Sequence, residues 1–329
     1  MARVIVTGAC GFVGRHLVDA LADRGDQVTA LDIGGKPWRE DVELRRVDLR
    51  DAEATAAALE GHELVFHNAS LVHTKQNRAQ DVWAVNLGGT EHVLAGCAAH
   101  GIDKLVYVSS ASVVYEGEDI EAGDESLPYA RASQAPYADS KIAAEKLVLR
   151  SNGPTLATCA IRPHVVFGPG DTRLLPAIIE RARAGTLKHI VGPGTHLSDF
   201  TYISNLTDAL LAAADRLGPE AAIAGEALFV TNGEPMPFFE FVGRVLEGLD
   251  LPRPRKHVPF ALAYGVAALA EAWDTLKGGT LGAEDGMTRF AIRYLCTHHY
   301  FSIDKAKQRL DWSPRVSLDE GIARTVAAL

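Results

Sequence analysis

Along the first half of the chain, short β-branched runs alternate with longer stretches whose apolar positions recur at helical spacing. Val4-Ile5-Val6 is strand-like. A glycine turn from Gly8 to Gly14 follows, and Phe12 to Arg24 then carries a helical period that Gly25 stops. Gln27 to Leu31 reads as a second strand ending at Asp32, Glu43 to Val47 as a third, and the alanine-rich Asp51 to Leu59 as a helix. Leu64-Val65-Phe66 makes a fourth strand, Asp81 to His100 a long helix, and Lys104 to Val108 a fifth strand. Tyr137 to Arg150 is helical, and Leu156 to Ile161 is a sixth strand. This alternation implies βαβ units, so the predicted fold is α/β: a doubly wound, mostly parallel sheet with helices on both faces.

After Pro163 the period breaks at Gly168-Pro169-Gly170, Gly192-Pro193-Gly194 and Pro252 to Pro259. These breaks predict a smaller second region over the carboxyl edge of the sheet, where such folds take their ligands. The expected division is 1–170 for the nucleotide-binding unit, with about 200–230 returning to it, and 171–329 mainly for the substrate. No long polar linker separates the two, so they should pack together.

Composition narrows the function classes. The 329 residues are 47% hydrophobic and 23% charged, which is globular, and the formal net charge of −9 disfavours a dedicated nucleic-acid binder. Cys10, Cys97, Cys159 and Cys296 are scattered without CxxC spacing, and the histidines show no ligand spacing, so neither a metal nor a disulfide scaffold is expected. A reducing compartment follows, and Met1-Ala2-Arg3-Val4 enters a strand at once with no room for a signal peptide; the expected location is cytoplasmic. The longest apolar run, Val258 to Ala270, has 13 residues, short of the roughly 18 that span a bilayer. It reads as a buried helix in preference to one in weak contact with a membrane surface.

The first candidate chemistry is the glycine turn. Thr7-Gly8-Ala9-Cys10-Gly11-Phe12-Val13-Gly14 joins a strand to a helix, so its glycines let the backbone approach a pyrophosphate while the helix start offers N–H groups. The spacing is GxxGxxG. Asp32 closes the next strand, 24 residues after Gly8, where a carboxylate accepts from adenosine ribose hydroxyls. It would repel a 2′-phosphate, favouring NAD over NADP, although Lys36 and Arg39 lie near in sequence. Asp48-Leu49 and Asn68-Ala69-Ser70 follow the third and fourth strands and fit the same ligand, Asp48 equally fitting a helix N-cap.

The second is Tyr137-Ala138-Asp139-Ser140-Lys141, a phenol and an ammonium one helical turn apart. A nearby cation lowers a tyrosine's pKa and makes proton exchange with an alcohol feasible. A hydroxyl to hold the substrate oxygen should come from Ser109, Ser110 or Ser112, after the fifth strand; Ser110 is the first choice and Ser112 the second.

Together these marks resemble the extended short-chain dehydrogenase/reductase superfamily, whose nucleotide-binding unit is a Rossmann fold. Within it, Ser109 to Gly117, Asp124 to Tyr129, Ile161-Arg162-Pro163-His164, Phe167-Gly168-Pro169, Asp199-Phe200-Thr201-Tyr202, Thr231 to Pro235 and His299-Tyr300-Phe301-Ser302 resemble the 3β-hydroxysteroid dehydrogenase family. The likeness is to its sterol-4α-carboxylate 3-dehydrogenase (decarboxylating) group, over nearly the whole chain. It implies an NAD-dependent oxidoreductase acting on a secondary 3-hydroxyl or 3-keto group of a bulky apolar substrate. Tyr137 would be the acid/base, Lys141 would bind the nicotinamide ribose and tune Tyr137, and Ser110 would orient the substrate oxygen. Gly8, Gly11, Phe12, Val13, Asp32, Asp48, Leu49, Ala69 and Pro163 would line the NAD site. The family also implies a homodimer joined through two helices per subunit, with Trp83 in the core or at that contact.

Alternatives are a 2-alkyl-3-oxoalkanoate reductase, a nucleotide-sugar epimerase or dehydratase, and a non-catalytic NAD-binding regulator. Leu197-Ser198 stands where nucleotide-sugar enzymes carry a diphosphate-clamping arginine before the Asp-Phe step; Arg173, Arg289 or Arg293 are the substitutes to check. Val258 to Trp273 is expected to wall the substrate pocket, and His164 is expected to be structural.

Overall fold

The computed structural model describes residues 2–73, 76–131, 135–276 and 288–329. Its main sheet has seven parallel strands, numbered with the rest along the chain: β1 (Arg3–Thr7), β2 (Gln27–Asp32), β3 (Glu43–Arg46), β4 (Leu64–His67), β5 (Lys104–Val108), β7 (Ala157–Pro163) and β12 (Ala227–Val230). They lie in the order β12-β7-β5-β4-β1-β2-β3. The chain starts in the middle, winds outward to β3, and returns to the other side of β1 at β4. Strand order therefore reverses between β1 and β4, which opens a crevice at their carboxyl ends. This is a Rossmann-like doubly wound fold.

The period of two decides which face each side chain joins, and helices cover both faces. Val4 and Val6 of β1 pack with Leu17, Val18 and Leu21 of α1 (Phe12–Asp23) and with Leu206 and Leu210 of α7 (Ile203–Arg216). Ile5 turns the other way, to Leu59 of α2 (Ala52–Leu59) and Val93 and Cys97 of α4 (Gly89–His100). Burial on both faces explains why these strands are continuous apolar runs.

Three short sheets frame the carboxyl edge. β6 (Ile120–Gly123), β10 (Leu197–Ser198), β13 (Met236–Pro237) and β15 (His299–Phe301) form one; β8 (Val166–Phe167) pairs with β11 (Thr201–Tyr202), and β9 (His189–Val191) with β14 (Lys256–Val258). Beneath them α6 (Leu174–Arg183), α8 (Phe238–Gly248) and α12 (Leu318–Ala327) close a separate core around Phe167, Phe200 and Phe241, the last two stacked at 4.1 Å.

Two expectations need correction. The helix expected over 81–100 is not continuous: a π turn over Ala84–Gly88 separates α3 (Ala79–Trp83) from α4. Buried Asn86 in that turn bonds Leu71 and Ser140, and the extra backbone residue lets it reach both. The apolar run 258–270 is not a buried helix. In α9 (Phe260–Leu276) Ala263, Tyr264 and Ala267 pack on Ile292 and Leu295 of α10 (Arg289–Leu295), while Leu262, Val266, Leu269, Trp273 and Leu276 recur every three or four residues on a largely exposed face. Leu269 is 74% exposed and Trp273 61%, whereas the other face of α9 packs against α10 and clusters with Val191 and Phe239. No described helix is long and apolar enough to cross a membrane.

Candidate active site

At the crevice, Gly8 has a left-handed φ of +66°, and a Cβ there would stand 2.7 Å from Ala69 Cα. A Cβ on Gly14 would stand 2.1 Å from Gly8 O. Side chains are thus excluded where the turn crosses the loop after β4 and where α1 passes the turn. Thr7 Oγ1 accepts from the amides of Asn68 (3.1 Å) and Ala69 (3.0 Å), lacing the two loops together. Gly11 is the exposed N-cap of α1 and has no side chain to satisfy the first-turn amides, while Phe12 and Val13 anchor the helix from half-buried positions. A glycine cradle with uncapped N–H groups at its mouth fits a dinucleotide phosphate.

Asp32 is brought to this turn, where its carboxylate accepts from Cys10 N (2.9 Å) and Gly34 N (3.3 Å). Arg39 is turned away, paired with Asp23 and Asp41 at 2.7 and 2.8 Å. Asp48 is not the N-cap of α2, a role taken by Asp51; it grips Arg50 at 2.6 Å, and that bond holds its carboxyl below the usual range. Leu49 is buried against Gly89, and Pro163 is buried at the end of β7.

The catalytic candidates meet one strand further on. Ser110 follows β5, and its Oγ accepts from Ser112 N (3.2 Å) and Ser112 Oγ (2.9 Å). The Ser110 hydroxyl acts on the phenol of Tyr137, near the start of α5 (Pro136–Arg150), and draws its pKa down. Ser110 is thus the serine that influences Tyr137, and Ser112 holds Ser110. Ser109 belongs elsewhere, donating to buried Glu145.

Lys141 departs from the expected electrostatics. Its ammonium, 1% exposed, donates to Val108 O at 2.6 Å and lies 4.2 Å from the centre of the Tyr107 ring. Burial draws its pKa down to about 7, against an opposing pull from Glu145. Burial likewise raises the phenol of Tyr137, and the groups that draw it back are Ser110 and Arg173. The expectation that the 137–141 pair would lower the phenol's pKa is not met: desolvation outweighs the nearby charges.

Sequence reasoning missed two elements of this site and named a third only as a substitute diphosphate clamp. Asn86 accepts from Leu71 N (2.7 Å) and donates to Ser140 Oγ (2.9 Å), tying the loop after β4 to the catalytic helix. Glu145 takes a bidentate grip from Arg162 and a bond from Tyr129 (2.8 Å) beneath Lys141. Its spacing from Lys141, again one helical turn, was the available signal. The third is Arg173, whose charge acts on Tyr137. Of the other two arginines, Arg289 is bound to Glu271 and Arg293 lies over the ring of Tyr264. Ser198, before Asp199-Phe200, is buried and pairs with His299, leaving no cation there. His164 is buried and bonded to His299 at 2.8 Å, and burial pushes both imidazoles down, as a structural role requires. α9 packs on α10, whose Tyr294 hydroxyl meets His164 Nε2 at 3.0 Å.

Known proteins bear on this arrangement. The model of the 3-beta hydroxysteroid dehydrogenase/isomerase family matches residues 5–262. The chain is 38% identical to a decarboxylating sterol-4-alpha-carboxylate 3-dehydrogenase of Mus musculus, over 98% of this chain and 90% of the relative. It is also 38% identical to a 2-alkyl-3-oxoalkanoate reductase of Stenotrophomonas maltophilia (strain K279a), over 99% of each. Among solved structures, MoeE5 in complex with UDP-glucuronic acid and NAD superposes with a TM-score of 0.74 at 26% identity, over 99% of this chain and 98% of that one.

Proposed function

This chain belongs to the 3-beta hydroxysteroid dehydrogenase/isomerase family, and from that premise we propose that it is an NAD-dependent dehydrogenase for a secondary 3-hydroxyl, or the matching 3-ketone, on a bulky apolar molecule. The observation that carries the reading is Ser110, held by Ser112 Oγ at 2.9 Å just past the carboxyl end of β5, acting on the phenol of Tyr137 at the start of α5. When bound, NAD supplies the hydride acceptor for the hydrogen on the carbinol carbon. Gly8, Gly11, Phe12 and Val13 hold its pyrophosphate, Asp32 its adenosine ribose, and Asp48, Leu49, Ala69 and Pro163 its flanks. Ser110 orients the substrate oxygen, Tyr137 Oη takes the hydroxyl proton, and Lys141 holds the nicotinamide ribose. Oxidation beside a carboxylate gives a β-keto acid, which loses CO₂ through an enol without a further catalytic group.

The groove between α5 and the helical segment that runs from α3 through the π turn into α4, lined by Trp83, Leu87, Ile142 and Leu147, supports a homodimer through these helices. The exposed apolar side chains of α9, which follows exposed Arg255 and Lys256 in the chain, support contact of a cytoplasmic enzyme with an anionic membrane surface, where apolar substrates reside. The test is NADH formation with 4α-carboxysterols, 3β-hydroxysteroids, 2-alkyl-3-hydroxy acids and nucleotide sugars, with CO₂ release followed in parallel. Turnover confined to nucleotide sugars would refute the reading; oxidation without CO₂ loss would keep the dehydrogenase and remove the decarboxylation.

A further inference from the structure

Arg173 is delivered to the cleft by a built turn. The Gly168-Pro169-Gly170-Asp171 segment lies on α1, with His16 Nε2 bonded to Pro169 O at 2.8 Å. The Asp171 carboxylate accepts from the amides of Arg173 (2.8 Å), Leu174 (3.3 Å) and Leu175 (2.9 Å), fixing the first turn of α6. Capping thus falls to Asp171, and the exposed side chain of Arg173 reaches across to Val72 O, to which Nη2 donates at 2.9 Å. Val72 adjoins Leu71, which Asn86 joins to Ser140 on the catalytic helix. The guanidinium therefore spans the cleft between the loop after β4 and α6, and Tyr137 feels its charge.

From this placement we propose that Arg173 is the specificity determinant for a carboxylate on the carbon next to the reacting carbon, so that the enzyme selects β-hydroxy and β-keto acids over neutral 3β-hydroxysteroids. The inference rests on the proposed site, with Tyr137 and Ser110 gripping the 3-oxygen. Once that oxygen is fixed, a carboxylate one carbon away lies only a few bond lengths from the phenol, on whichever side the substrate leaves open to α6. A planar guanidinium matches a carboxylate bidentately and gains a full opposite charge that a neutral carbonyl lacks, so the acid displaces Val72 O. A neutral sterol desolvates the same cation without pairing it. Attraction to the acid and a penalty on its neutral analogue act together.

The experiment pairs a 2-alkyl-3-hydroxy acid and a 4α-carboxysterol each with its methyl ester. Wild type, Arg173→Met and Arg173→Lys are assayed, with kcat and KM separated and NAD binding measured as a control on folding. The wild type should prefer the acid of each turned-over pair. Arg173→Met should cost the acid about 10- to 100-fold more in kcat/KM than it costs the matching ester, mostly through KM, with NAD affinity retained. Arg173→Lys should keep part of the preference. Equal losses for acid and ester would overturn the inference while leaving the dehydrogenase reading intact, as would a wild type that prefers the esters, a result readable even if the variants fail to fold. A wild type inert towards all four compounds would sink the reading of the site, and the inference with it.

Discussion

Replacing Lys141 by Met should stabilise the cofactor-free protein while abolishing turnover. The ammonium is 1% exposed, and burial brings its pKa from 10.5 to about 7. In the unfolded chain Lys141 holds its proton up to pH 10.5; in the folded protein it releases it near pH 7. Between those values the unfolded state binds the extra proton, so stability rises with pH across the window. The fall from 10.5 to about 7 corresponds to about 5 kcal/mol in all, of which about 4 kcal/mol is borne at pH 7. Against this stands the bond to Val108 O, whose loss costs about 1–2 kcal/mol. Met fills a similar volume without a charge, so the net gain at pH 7 should be about 2 kcal/mol, a rise of a few degrees in Tm. Thermal unfolding of both proteins at pH 7 and about pH 9.5 reads it directly. The wild type should gain about 3 kcal/mol more than Lys141→Met between the two pH values. A Lys141→Met protein less stable than wild type at pH 7, or parallel pH profiles, would mean that the ammonium is not held at a cost.

The remaining predictions follow from single contacts. Tyr137→Phe should reduce turnover about 10²- to 10⁴-fold with NAD affinity nearly intact by calorimetry, whereas near-normal turnover would put the active site elsewhere. Ser110→Ala should act like a weaker Tyr137→Phe; Ser112→Ala, removing only a bond to Ser110, should cost less than Ser110→Ala in the same assay. Calorimetry should find NAD bound more tightly than NADP, and Asp32→Ala should weaken NAD while loosening the glycine turn it ties through Cys10 N, visible as a lower Tm. Glu145→Gln leaves the buried Arg162 without its carboxylate and should cost about 3–5 kcal/mol in denaturant unfolding. The double substitution Leu269→Glu, Trp273→Glu should abolish flotation with anionic vesicles and leave turnover of a water-soluble substrate unchanged.

Local chemistry determined much of this protein directly from its sequence. The β-branched runs and the Gly8–Gly14 turn place β1, α1 and β2 to within a residue or so, because strand period, glycine φ and helix caps act over only a few positions. The same locality made Tyr137, Lys141, the serines after β5 and the acid at Asp32 legible as a constellation, since each lies at the end of an element that the pattern had already set. The tertiary structure decided what depends on partners distant in the chain. Asn86 reaches Ser140 only through a π turn that no period signals, and Glu145 acquires its meaning from Arg162 on β7. The apolar run of α9 looks buried by composition, yet whether a helix face is buried depends on what packs there: one face meets α10 and the other is largely exposed. Arg173 sits in a glycine- and proline-broken stretch without period, and its role depends on a turn that carries it back over α1 to a cleft formed by segments a hundred residues earlier. Electrostatics divided in the same way: the sequence put a cation one turn from a phenol, but burial, a property of the assembled fold, sends the pKa of Lys141 down and that of Tyr137 up.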